Sequence, residues 1–155
     1  MVNSLGFQTV TSLRPGETAH HRGLKVRATA GAPVPMVENG YLLEHESGQL
    51  YLEPHGFLDP TLPEQPLDAV ITPMVDLGLP AFGTFVKGRS VAAELVQRFQ
   101  PATMLASTSG GDVRFSGALS GILQMDGSVE QTGRDLPTST RWLDPSPGER
   151  LVLKP

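Results

Sequence analysis

Four histidines, His20, His21, His45 and His55, are the side chains of this sequence best suited to metal or acid–base chemistry. Their spacing limits what they can share. His20 and His21 are adjacent, so on a strand they point to opposite faces and cannot chelate one ion together. His45 follows Leu42–Leu43, stands between Glu44 and Glu46, and reads as a solvated strand end. His55 differs in position. The stretch "YLEPHG" (51–56) ends a strand-like run, and Gly56 lets the backbone turn sharply behind the histidine. Glu53, His55 and Asp59 are the local set that would converge there. Asp112 is the further carboxylate of a candidate metal group with His55 and Asp59. The competing reading is a loop histidine whose ring is simply hydrogen bonded. No HxH, HxxxH or HExxH pattern occurs, so no local metal motif supports the first reading.

A second candidate is the loop "STSGGDV" (107–113). Ser109, Gly110 and Gly111 could turn backbone amides toward an anionic ligand. The loop has no lysine and no Walker-A spacing, and a flexible strand-to-helix turn is the alternative. Ser107 and Ser109 lack a GxSxG context, which argues against a hydrolase triad.

Composition removes several function classes. There are no cysteines, hence no disulfides, thiolate metal sites or cysteine nucleophiles. The formal net charge is −4, with no basic block, so nucleic acid is not an expected partner. No apolar run approaches the roughly 20 residues needed to cross a membrane, and the first ten residues do not read as a signal peptide. The expected location is cytoplasmic, or the chloroplast stroma for a plant protein.

The elements that must position these residues follow from pattern. The length suits one domain over residues 1–155. Fourteen prolines and seventeen glycines imply short elements and many turns. Phe7 to Leu13 is β-prone and ends in the turn "RPGE". Leu24, Val26 and Ala28 alternate with Lys25, Arg27 and Thr29, the period of a half-buried strand. "NGYLLEHE", "SGQ" and "LYLEP" read as a hairpin turning near Ser47–Gly48. "LDAVITPM" (67–74) and "PATMLAST" (101–108) have the continuous apolar character of strands buried on both faces. Between them, Val91, Ala92, Leu95, Val96 and Phe99 mark one face of a helix over 89–100. Ser90 is the expected cap and Pro101 the stop. Strand, helix, strand predicts two parallel strands. Residues 75–88 read as a long glycine-containing loop in which Phe82 and Phe85 cover the core. Residues 116–125 read as a short helix, and 139–144 and 150–154 as strands. The fold class is therefore α/β (α+β), a mixed sheet with helices on one face.

The order of "LGFQTVTSLRPGE", "GLKVRATAGAPVPMVENGYLLE", "LYLEPHG", "LDAVITPMVDLGLP" and "LVQRFQPATMLASTSGGDV" resembles the C-terminal half of a metallo-β-lactamase-fold protein. Within that class it is most similar to the cyanobacterial and plant branch of the metal-dependent hydrolase-like group. The resemblance implies half of an αββα sandwich, with a metal centre, zinc being the usual ion, at one sheet edge. Catalytic members carry an HxHxDH loop in the N-terminal half, and this chain has none. Of the later ligand positions, one falls in "AGAPVP" with no ligand. His55 stands about where an aspartate is expected, and Ser107 or Thr108 where a histidine is expected. The resemblance thus implies a protein inactive alone as a standard dizinc hydrolase. The alternatives are a divergent metal-dependent hydrolase completed by a homodimer partner or a missing N-terminal half, and a small-molecule or anion-binding module.

Overall fold

The computed structural model describes residues 5–33, 38–107, 116–117 and 120–153. The chain opens with an antiparallel meander: β1 (Thr18–His21), β2 (Leu24–Thr29), β3 (Gly40–His45) and β4 (Gly48–Leu52). Arg22 and Gly23 join the first two strands with φ of 48° and 84°. Positive φ at both central residues is the hairpin geometry that matches strand twist. Parallel strands follow: β5 (Ala69–Pro73), β8 (Thr103–Ser107) and β10 (Arg141–Leu143). The resulting seven-stranded sheet has the order β1-β2-β3-β4-β5-β8-β10. A second sheet holds β6 (Asp76–Leu79), β7 (Gly83–Lys87) and β9 (Gln124–Asp126) in the order β7-β6-β9. The helices are α1 (Gly88–Phe99) and α2 (Val129–Asp135). This is an α+β fold with a mixed sheet.

One face of the large sheet carries the core. Leu42, Tyr51, Val70, Met104 and Trp142 form a lateral row across five neighbouring strands. Ala92, Leu95, Val96 and Phe99 of α1 join that row in one hydrophobic cluster, with the Tyr51 and Phe99 rings 5.0 Å apart. Burying side chains such as Leu95 and Phe99 contributes roughly 1.5–3 kcal/mol each. The α1 periodicity read from sequence is the face observed. α2 belongs to the same side, where Gly133 lies against Trp142 at the end of the row.

Several elements differ from the sequence expectation. Residues 7–13 form no strand; the edge strand is β1, a few residues later. Residues 75–88 are not a loop but the β6–β7 hairpin and the start of α1. Phe82 sits at the hairpin turn and is 84% exposed, so it does not cover the core, whereas Phe85 does pack against it. Glycine at 78 and 83 concealed a hairpin whose strands need little side-chain bulk. Among the described residues of 116–125 there is a turn at 120–122 and then β9, not a helix. α2 had no long apolar stripe to announce it, though Ser128 caps it by accepting the Gln131 N–H at 3.1 Å. Ser90 does not cap α1. It lies inside the first turn, and Asp76 of β6 accepts both its N–H and its hydroxyl. The described residues 150–153 form no strand.

Candidate functional site

β4 ends at Leu52, and the Glu53 N–H still donates to Ile71 O at 2.9 Å, so Glu53 lies beside Thr72 of β5. From there the chain turns away from the sheet. The Glu53 carboxylate holds that turn: Oε2 accepts the backbone N–H of His55 at 2.9 Å and of Phe57 at 2.7 Å. Glu53 is fully buried. Burial pushes its carboxyl above the usual range, against the opposing pull of the Phe57 and His55 amides and the nearby imidazole. Its other oxygen, Oε1, has no hydrogen-bond partner.

The turn is locked onto the start of α1. His55 O accepts the Lys87 N–H at 2.9 Å. Gly56 has φ of 68° and lies so close to the Lys87–Gly88 peptide that a Cβ would stand 2.5 Å from the Lys87 carbonyl carbon. The glycine is required both by conformation and by that approach. The His55 backbone is thereby fixed beside the start of α1. The ring Nδ1 lies 3.6 Å from Glu38 Oε2 and makes no hydrogen bond.

Asp59 is buried and both its carboxylate oxygens are engaged. Its Oδ2 accepts the Ala30 N–H at 2.8 Å, and Oδ1 accepts the Thr61 N–H at 2.9 Å and the Thr61 hydroxyl at 2.7 Å. Burial alone would raise this carboxyl. The Thr61 hydroxyl, the Thr61 and Ala30 amides and the charge of Arg27 outweigh it and hold the group below the usual range. Asp59 thus ties the loop after β4 to the end of β2.

Further polar groups gather at the same pole. Thr72 of β5 is fully buried with an unpartnered Oγ1, and the hydroxyl of Ser107, at the end of β8, is likewise unpartnered. The register places Thr72 opposite Ala106 and Pro73 opposite Ser107, so the two hydroxyls are on opposite faces of the sheet. Thr29, Tyr51 and Glu53 crowd around Gly40, where a Cβ would stand 2.6 Å from Thr29 Oγ1 and 3.0 Å from the Tyr51 hydroxyl. Burial raises the Tyr51 hydroxyl pKa.

The structure therefore brings Glu53, His55 and Glu38 to one turn and gives Asp59 a separate structural task. Among the described residues, no three His, Asp or Glu side chains stand close enough to share an ion. This donor set does not fit a dizinc centre, which needs at least three protein ligands per catalytic ion. Asp112, Ser109, Gly110 and Gly111 lie outside the described residues. His20 and His21 are exposed on β1, on opposite faces as expected. Glu38 had no sequence signal, because it is brought to His55 only by the pairing of β3 with β4. Glu53 did carry one: a carboxylate directly before Pro-His-Gly can bridge its own turn.

No protein-family profile matches the sequence, and no curated protein aligns with it significantly. Among solved structures, the chain is similar to a mutant of CmlA beta-hydroxylase, with a TM-score of 0.52 at 14% identity. The fold is of the metallo-β-lactamase type. The match covers 71% of this chain and 28% of the CmlA chain, so the protein spans little more than a quarter of that neighbour. At that identity the metallo-β-lactamase-like likeness concerns the fold alone. No helix among the described residues is long and apolar enough to cross a membrane.

Proposed function

We propose that this metallo-β-lactamase-fold chain, of the cyanobacterial and plant branch it resembles, does not act on its own as a standard dizinc hydrolase. One observation carries the reading. Both oxygens of Asp59 are occupied by Ala30 and Thr61, which leaves His55, among the described residues, with Glu38 at 3.6 Å and the buried Glu53 as its neighbouring carboxylates. Metal-activated hydrolysis requires an ion held firmly enough to lower the pKa of its water, and among the described residues the imidazole and its neighbouring carboxylates do not converge to provide that. The test is elemental analysis of protein purified without chelators, together with hydrolysis assays on chromogenic lactam, ester and phosphodiester substrates. Substoichiometric zinc, iron and manganese and no turnover are expected. Stoichiometric metal that disappears in His55→Ala would overturn the reading.

A second reading is a divergent metal-dependent hydrolase completed by another chain, either a second copy or a separate N-terminal half. It is favoured by Glu53 Oε1 and His55 Nδ1, buried atoms that make no hydrogen bond among the described residues. The sheet face opposite α1 adds support: Val26, Leu43, Leu50, Leu52 and Ile71 are only half-buried there. Light scattering after size exclusion separates the two readings. A monomer that binds no apolar dye counts against the second.

A further inference from the structure

The face of the large sheet turned away from α1 carries a lateral row of its own. Strand register sets Val26, Leu43, Leu50, Ala69, Thr103 and Arg141 side by side across β2, β3, β4, β5, β8 and β10. Exposure changes along this row. Val26, Leu43 and Leu50 are half-buried, whereas Ala69 is 0% and Thr103 1% exposed. Over the Ala69–Thr103 end lies the chain itself, for residues 150–153 return across it after β10.

The fastening is slight. Arg141 Nη2 donates to Val152 O at 2.8 Å, and the Thr103 hydroxyl donates to Leu153 O at 3.2 Å. Among the described residues, no backbone-to-backbone hydrogen bond ties residues 150–153 to the sheet. Leu153 closes one side of a hollow of about 260 Å³ that Leu24, Leu43, Leu50 and Ala69 also line. Leu153 is only half-buried, and Val152 is 72% exposed. A segment held by side chains alone, with few buried contacts, opens more readily than the strands beneath it.

We propose that residues 150–153 are a strap that shuts this face against a second copy of the chain and lifts to admit it. The inference rests on the second reading above, in which another chain covers the face, and adds what regulates that docking. From Val26 to Thr103 the row holds no charged side chain. It can therefore meet its own copy about a two-fold axis without like-charge repulsion. Strap and second copy compete for the same leucines, so each bond that fastens the strap works against association.

The full chain and its Leu153→Asp variant are compared by methyl NMR of the leucines, by binding of anilinonaphthalene sulfonate, and by light scattering over a concentration series. A carboxylate at 153 cannot rest unpaired among Leu24, Leu43 and Leu50, so the strap should lift. The methyls of those three leucines should then shift, and dye binding at low concentration should rise severalfold. The variant should also dimerise at lower concentration than the wild type. Unmoved methyls overturn the strap, whatever the fate of the second reading. Moved methyls in a variant that stays monomeric defeat the second reading, and this proposal with it. A wild type that dimerises as readily as the variant keeps that reading and overturns the proposal. Should Leu153→Asp disturb the sheet, Arg141→Ala loosens the strap from its exposed side, and an unchanged Leu153 methyl signal there rejects it.

Discussion

Glu53 Oε2 accepts the Phe57 backbone N–H at 2.7 Å from a fully buried position. One carboxylate thus shapes the turn that carries His55. Glu53→Ala leaves the His55 and Phe57 amides without their acceptor and should cost about 1–3 kcal/mol in urea unfolding. Glu53→Gln keeps an acceptor and should be far milder. Its benefit has a definite sign with pH. The folded carboxyl is raised, so the stability it allows is fully present below the unfolded value, about 4.3, and declines as pH rises through the folded value. Glu53→Gln should therefore gain on the wild type as pH rises from 4 to 7. Parallel pH curves for the two proteins would reject the account.

Asp59 behaves in the opposite sense. Its carboxyl is depressed, so its contribution is present above the unfolded value of about 3.9 and is lost as pH falls through the folded value. Asp59→Asn should cost about 1–3 kcal/mol at pH 7, and the gap should narrow on acidification. Thermal melts between pH 2 and 7 read this directly.

Gly56 predicts a larger loss. A side chain there meets both an unfavourable φ of 68° and the Lys87–Gly88 backbone. Gly56→Ala should destabilise by about 2–6 kcal/mol, the sum of a strained backbone and an overpacked contact. Hydrogen exchange should show faster opening of the Lys87 amide, which donates to His55 O.

Gly133 sets two effects against each other. Alanine is favoured over glycine inside a helix by about 1 kcal/mol. A Cβ at 133, however, would stand 2.3 Å from Trp142 Cδ2, and the indole must move. Overpacking of that kind costs about 1–3 kcal/mol. Net destabilisation is expected, with a change in Trp142 fluorescence. A stabilised variant with unchanged emission would show that the ring yields freely.

The legible parts of the sequence were those with strong period or punctuation. Alternation at Leu24–Thr29 gave β2, the Ser47–Gly48 turn gave the β3–β4 hairpin, and Val91 to Phe99 gave α1, because each pattern is created by burial of one face. The β6–β7 hairpin was hidden by glycines and by Phe82, whose apolar ring stands in solvent. The site was half legible. His55 could be placed at a strand end, but the engagement of Asp59 by Ala30 spans 29 residues and has no local signal. Glu38 reaches His55 only through sheet pairing.

The order of the strands along the chain also bears on how the molecule assembles. β1 to β4 pair in succession, with two-residue turns at β1–β2 and β3–β4 and residues 30–39 between β2 and β3, whereas β5, β8 and β10 must wait for longer excursions before meeting their neighbours. Closing those longer segments costs chain entropy before any contact repays it. The meander should thus acquire exchange protection first and serve as a template on which β5 zips. Pulse-labelled refolding would show it, with Leu42 and Leu50 amides protected ahead of Leu105, and the reverse order would exclude this route.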